Sequence, residues 1–190
     1  MQMKELVEKC RSYRRFYEED RISRETMTEL VDLARITASA ANSQALKYRI
    51  CSDTEENEKV FETIGWAGYL TDWIGPEKGE RPSGYIVILC DLSLGKNKMM
   101  DNGIVAQTMM LAAVEQGYGG CMIGNFKRSQ LAEVLGIDTE KYSLDLVLAL
   151  GRPKEEVKLV LVKEDGDIRY YRDEEQVHYV PKRSLEEVLL

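Results

Sequence analysis

Between Asp101 and Gln116 the chain reads DNGIVAQTMMLAAVEQ, and Ile104, Val105, Ala106 and then Met109 to Val114 are all apolar. At 3.6 residues per turn these side chains go most of the way round a helix, so one face against a core cannot cover them. Such a helix is either central in the monomer or meets another subunit with its second face. Around it the chain must supply sheet. Tyr85-Ile-Val-Ile-Leu-Cys90 is an unbroken apolar run, as expected for a strand covered on both faces. Gly117-Tyr-Gly-Gly-Cys-Met-Ile-Gly124 follows the helix and predicts a strand from Gly119 to Ile123 bounded by turn glycines.

The remaining elements follow from local pattern. A helix is expected over Met3 to Cys10. A second starts after Ser23, a cap residue, with Met27, Leu30, Val31 and Ala34 as its buried stripe. Ala38 to Gln44 is small and polar, hence a loop. Tyr48 to Cys51 predicts a short strand, Glu56 to Ile64 a helix and Ser129 to Leu135 another. Leu144 to Leu150 and Val157 to Val162 predict two more strands, with Asp165-Gly166 as a tight turn and Ile168 to Tyr171 extending the hairpin. From Ile64 to Gly84 the chain is rich in Gly and Pro and carries Trp66 and Trp73. A loop that long usually has a function, and a lid is a common one. The last twenty residues read as a tail that packs on something. No repeat or internal linker divides residues 1–190, so a single α+β domain is expected.

Composition narrows the chemistry. With 26 Lys and Arg against 33 Asp and Glu, the net charge of −7 argues against nucleic acid as the main partner. No run approaches the roughly 20 apolar residues of a membrane span. The opening MQMKELVEKC is charged where a signal peptide needs an apolar stretch, so a cytoplasmic protein is expected. Cys10, Cys51, Cys90 and Cys121 are far apart and form no CxxC, and Cys51 and Cys90, in apolar runs, read as buried free thiols. With His178 the sole histidine, there is no cluster for zinc or iron and little material for a Ser-His-Asp or Cys-His device. No side chain then stands out as catalytic. If the protein is an enzyme, a bound cofactor carries the hard chemistry. Cys121 reads as an inert thiol and His178 as a surface or packing residue.

Against this acidic background Arg11-Ser-Tyr-Arg-Arg-Phe16 concentrates three arginines, and Pro181-Lys-Arg-Ser184 adds two cations near the other end. A planar guanidinium grips phosphate oxygens in pairs, and a serine hydroxyl adds a neutral donor. Taken alone, the run reads more readily as a solvated basic turn than as a phosphate site.

Its neighbours sharpen that reading. Cys10-Arg-Ser-Tyr-Arg-Arg-Phe16 resembles the N-terminal phosphate motif of the FMN-dependent nitroreductase family, Arg-Arg-Ser-x-Arg-x-Phe. Ala38-Ser-Ala-Ala-Asn-Ser-Gln44 with Lys47-Tyr48 is similar to that family's Pro-Ser-x-x-Asn-x-Gln-Pro-Trp loop, with Ala45 and Leu46 in place of Pro-Trp. The apolar helix and the glycine-rich strand after it resemble the family's interface helix and following strand. Leu150-Gly-Arg-Pro153 matches its Leu-Gly-x-Pro turn, and Val180 to Val188 its closing basic segment. The likeness runs from about residue 5 to residue 188.

The resemblance implies an intertwined homodimer of nitroreductase-like α+β fold, with a central, mostly antiparallel sheet flanked by helices, that binds FMN. Arg11, Ser12, Tyr13, Arg14 or Arg15, and Lys182 or Arg183 would form the phosphate end. Cys10 stands where many members have a basic residue, and Arg15 is the candidate replacement. The amides of Asn42 and Gln44 suit the pyrimidine edge of the ring, and the backbone of Ile123 and Gly124 would approach flavin N5. NADH or NADPH would deliver hydride, and a nitroaromatic, quinone or similar small-molecule acceptor would take it in a ping-pong cycle. Trp73 is a candidate cover for the pocket. Three other readings share these residues: a flavin-binding redox sensor or store, a reductive dehalogenase-like or flavin-consuming branch of the fold, and a cofactor-free α+β domain.

Overall fold

The computed structural model describes residues 1–94 and 99–190. Its elements are α1 (Met3–Lys9), β1 (Phe16–Tyr17), α2 (Arg24–Arg35), a 3-10 turn (Ala40–Asn42), β2 (Leu46–Cys51), α3 (Thr54–Phe61), β3 (Gly84–Asp91), α4 (Met99–Glu115), β4 (Gly119–Ile123), α5 (Arg128–Leu135), β5 (Tyr142–Pro153), β6 (Val157–Leu161), β7 (Tyr171–Arg172), β8 (His178–Lys182) and α6 (Leu185–Val188). No helix among the described residues is long and apolar enough to cross a membrane, and no group of three or more His, Cys, Asp or Glu there could hold a metal ion.

The central sheet is antiparallel throughout. β2 pairs with β3 and β3 with β5. The far edge of the long β5 pairs first with β4, from Ile123 opposite Val147 to Gly119 opposite Gly151, and then with β1. The apolar run of β3 is buried along its whole length, because both faces are covered. Strand period 2 divides it. Ile86 and Ile88, with Leu148 and Leu150 of β5, pack against Met27, Leu30 and Ala34 of α2 and Met109 and Ala113 of α4. Tyr85, Val87 and Leu89, with Val147 and Ala149, pack against Val60 of α3 and Leu131, Ala132 and Leu135 of α5. Each such buried aliphatic side chain contributes roughly 1.5–3 kcal/mol of transfer free energy.

Local chemistry sets the boundaries. Ser23 caps α2 through the Thr26 N–H at 3.0 Å. Asp53 caps α3 by accepting from Glu55 and Glu56 N–H at 3.0 and 3.1 Å, so this helix starts at Thr54 and ends at Phe61, earlier at both ends than the apolar pattern predicts. The expected hairpin after Val157 does not form. β6 instead pairs in parallel with β8, and only Tyr171–Arg172 joins, antiparallel, on the other edge of β8. The tail is therefore a strand of a second, three-stranded sheet. Within α4, Met100 and Ile104 remain exposed and Leu111 and Ala112 are half covered, so one stripe of the apolar helix is left open in a single chain.

Candidate functional site: a cationic cleft beside β4

The basic segment leaves α1 and lies along the free edge of β4. Ser12 bridges Gly120 in parallel register, and the Tyr13 N–H donates to the Gly120 carbonyl at 2.9 Å. Gly119 permits this close approach, since a Cβ there would stand 2.7 Å from the Tyr13 ring. Extended backbone sends successive side chains to opposite sides. Tyr13 packs on Gly119 with its hydroxyl donating to the Lys9 carbonyl at 2.9 Å. Arg14 turns into the cleft and is buried. Arg15 turns away and is held by Glu80, its Nη2 2.7 Å from Oε1, while Lys154 Nζ lies 2.9 Å from the same oxygen. These partners, Arg15 first, hold the Glu80 carboxyl down to about 2. Arg15 thus faces away from the cleft, and it does not replace the basic residue whose place Cys10 takes. Cys10 itself lines the wall, with Gln107 Nε2 3.6 Å from Sγ, and burial pushes its thiol up.

The opposite wall comes from β8. His178, Val180 and Lys182 alternate onto the cleft side, and Tyr170 precedes them. Gln107 and Met110 of α4 and Met122 of β4 close the back, enclosing about 280 Å³. Lys182 reaches the Arg-Ser segment within the same chain, whereas Arg183 points outward to Glu187 at 3.3 Å. His178 is not a surface residue: it is 1% exposed, with Nε2 3.3 Å from Arg14 Nη1.

A second hollow of about 210 Å³ continues from the first and shares Arg14, Met122 and Tyr170 with it. It is lined by Ile123 and Gly124 at the end of β4, by Cys121 and Asn125, and by Gly65 to Gly68 of the lid segment with Trp66 among them. A Cβ on Gly124 would meet nothing within 4 Å, so this backbone is open to a ligand. Cys121 is buried, and that burial raises its thiol. The lid is tied down at Gly65, whose N–H donates to the Asn125 carbonyl at 2.8 Å, and at the Tyr69 ring, 5.0 Å from Tyr170. Trp73 is not part of the lining and lies 4.5 Å under the Arg172 guanidinium. Together the two hollows reach the size of ordinary ligand pockets, roughly 300–1,000 Å³.

The electrostatics are one-sided. Arg11, Arg14 and Lys182 line the combined cleft, and no carboxylate does. Among the described residues Arg14 has no ion pair; Glu155, the nearby buried acid, takes Arg172 at 2.9 Å and the Arg14 backbone N–H. Among the described residues the buried Arg11 Nε has no hydrogen-bond partner, while its Nη2 donates to the Val7 carbonyl at 2.6 Å. A buried cation left in this state calls for an anion.

Asn42 and Gln44 lie elsewhere. Their loop is anchored by the Ala40 N–H to Asp101 Oδ1 at 3.0 Å. Gln44 lines a separate hollow with Tyr48, Asp101 and Val105, where burial, then Asp101, pushes the Tyr48 hydroxyl up to about 12. Asp101 and Val105 stand about 190° round α4 from Gln107 and Met110 at 3.6 residues per turn, so one chain does not bring both sets of residues to one ligand. The loop is strained, with φ of +52°, +51° and +48° at Ala41, Asn42 and Gln44. Strain of this kind, roughly 1–3 kcal/mol per residue, persists where a site needs the geometry.

The residues sequence reasoning did not single out are Gln107, Met110, Met122, Tyr170 and Trp66, and it gave His178 no role in the cleft. The alternation His178, Val180, Lys182 was a readable signal for one of them; nothing local marked Tyr170.

Comparison with known proteins agrees with this geometry. Residues 93–152 match the model of the nitroreductase family. YdgI of Bacillus subtilis (strain 168), named a NAD(P)H nitroreductase, is 24% identical over 185 residues, covering 80% of this chain and 88% of its own. A nitroreductase family protein from Streptococcus pneumoniae TIGR4 superposes with a TM-score of 0.71 at 16% identity, over 100% of this chain and 99% of that one. A relative from Desulfovibrio desulfuricans, solved in complex with FMN, superposes at 0.69 with 19% identity, over 98% and 94%. The chain therefore carries the nitroreductase fold, and its residues 93–152 are similar to that family in sequence.

Proposed function

We infer that the protein is an FMN-dependent NAD(P)H oxidoreductase. The observation that carries the reading is the cleft itself, cationic at one end, apolar and backbone-lined at the other, and free of carboxylates in an acidic protein. That polarity suits a flat ring with a single phosphate tail. The donor set fits FMN in kind. Arg11, Ser12 and Lys182 would hold the phosphate end. Arg14, common to both hollows, would supply positive charge to the ring, Trp66 and Tyr170 would give it apolar cover, and the open Ile123 and Gly124 backbone would serve its reacting part. Bound FMN supplies the capacity to accept and release hydride at N5. The chain's task is to orient the ring, place a fixed positive charge beside it and leave one face open.

The finer mechanism follows from the space. With no dinucleotide fingerprint to hold a nicotinamide cofactor elsewhere, NADH or NADPH and the acceptor take turns over the same face of this cleft, which gives ping-pong kinetics. A nitroaromatic or a quinone is accepted because stacking on a flat ring selects weakly. The working unit is a homodimer. The open stripe on α4 supports this, and so does the loop holding Asn42 and Gln44, which completes a cleft only if a second copy presents it.

Heat-released cofactor compared with FMN and FAD standards tests the cofactor, and FMN is expected. Double-reciprocal plots at several acceptor concentrations test the order, and parallel lines are expected. Recovery of FAD, or converging lines with a trapped ternary complex, contradicts the reading.

A further inference from the structure

Arg14 is a buried cation whose guanidinium has no carboxylate partner among the described residues. Its guanidinium is nevertheless held on three sides. Nη1 donates to the Ser12 carbonyl at 3.1 Å, the Tyr170 ring lies 4.7 Å from the guanidinium carbon, and His178 Nε2 is 3.3 Å from Nη1. Arginine offers only donors, so Nε2 must present its lone pair and Nδ1 must carry the ring proton. The rest of the ring is held by packing alone: it is 1% exposed, lies 5.2 Å from Tyr170, and its Nδ1 has no hydrogen-bond partner among the described residues. Burial, then Arg14 and Arg172, hold the imidazole down to about 4, so it is neutral near pH 7 and remains an acceptor.

We propose that His178 is a positioning residue for Arg14, its Nε2 accepting from the guanidinium and turning that cation toward the flavin instead of toward Glu155. The inference rests on the reading of the cleft as an FMN site. Its functional consequence is redox tuning. Arg14 is the cation shared by the phosphate end and the β4 end of the cleft, and two-electron reduction adds negative charge to the ring. A guanidinium held against that ring favours the reduced form; one free to swing does not.

The test uses two substitutions of similar polarity on the FMN-reconstituted full chain. In His178→Gln the side-chain amide reaches the place of Nε2 and keeps an acceptor there. In His178→Asn it reaches only the place of Nδ1, and the acceptor is lost. The expected result for H178N is a preference for reduced over oxidised FMN lowered about tenfold, read as a midpoint potential about 30 mV more negative. H178Q stays close to wild type. In an Arg14→Gln background, H178N adds no further shift. Where H178N does not fold, His178→Leu fills most of the volume without an acceptor and takes its place with the same expectation. The proposal is overturned if H178N and H178Q shift alike, if neither shifts, or if the H178N shift persists without Arg14. A wild-type protein that takes up no flavin defeats the functional reading itself, whereas an FMN-loaded wild type matched by H178N defeats only this assignment.

Discussion

Arg14 and Arg15 are chemically identical neighbours with opposite fates. Extended backbone along β4 turns one into the cleft and the other to Glu80. Substitution should separate them. Arg11→Ala and Lys182→Ala each remove a charge-assisted hydrogen bond worth roughly 1.5–3 kcal/mol, so FMN affinity should fall about 10- to 150-fold. Arg15→Ala and Arg183→Ala, whose partners are Glu80 and Glu187, should leave it within about twofold. Fluorescence titration of the four variants decides, and equal losses in all four would mean general charge steering. His178 gives the residue scale a second handle. Its ring faces Arg14, Arg172 and Tyr170, with Glu155 bound to both arginines' segments. Its folded pKa is lowered to about 4 from an ordinary 6.5. Between those values the unfolded chain binds a proton that the folded chain refuses, so stability drops as pH falls through that window. Glu80, held at about 2, loses its contribution only lower, as pH falls from 4.5 toward 2. Thermal unfolding of the flavin-free protein should therefore fall in Tm from pH 6.5 to 4, and His178→Gln should flatten that slope. An unchanged slope would mean that the ring is accessible and protonates normally.

At the scale of elements, what was legible was local. The apolar run of β3 announces a strand buried on both faces, Ser23 announces α2, and the crowded surface of α4 announces a central helix. What was not legible depends on long-range pairing. The sequence 157–171 reads as a hairpin because Asp165-Gly166 suits a turn, yet β6 takes a parallel partner more than fifteen residues away. The reason lies in a side chain that no pattern marks. Glu155, with no exposed side-chain surface, ties Arg172 before β8 and the Arg14 N–H beside β4, so the tail is fastened to the basic segment through one carboxylate. For the same reason the cationic members of the cleft could be read from composition, while Tyr170 and the role of His178 could not. Glu155→Ala leaves Arg172 buried without its partner, and loss of a buried ion-pair partner costs about 3–5 kcal/mol. Urea denaturation should show that loss, accompanied by loss of FMN as Lys182 leaves the cleft. A variant with wild-type stability would show that β8 is held by its apolar contacts alone.

For the whole molecule, the separation of Asn42 and Gln44 from the cleft by the thickness of α4 makes a prediction about assembly. If a second copy supplies that loop, Arg11→Ala and Asn42→Ala chains should each bind flavin poorly but recover about a quarter of the sites when unfolded and refolded together in equal amounts, because random pairing makes about half of the dimers mixed and one cleft of each mixed dimer has both residues intact. No recovery, with a monomer by light scattering, would assign all the binding to one chain. The molecule's function is tested most directly without oxygen. The FMN-reconstituted protein is mixed with NADH and with NADPH, and the visible absorbance of the oxidised flavin is followed. The account predicts rapid bleaching by at least one donor and return of the colour when a quinone or nitroaromatic is added, both missing from Lys182→Ala protein at FMN concentrations that saturate only the wild type. A bound flavin that stays oxidised in the presence of either donor would contradict it and make the protein a flavin binder with no turnover.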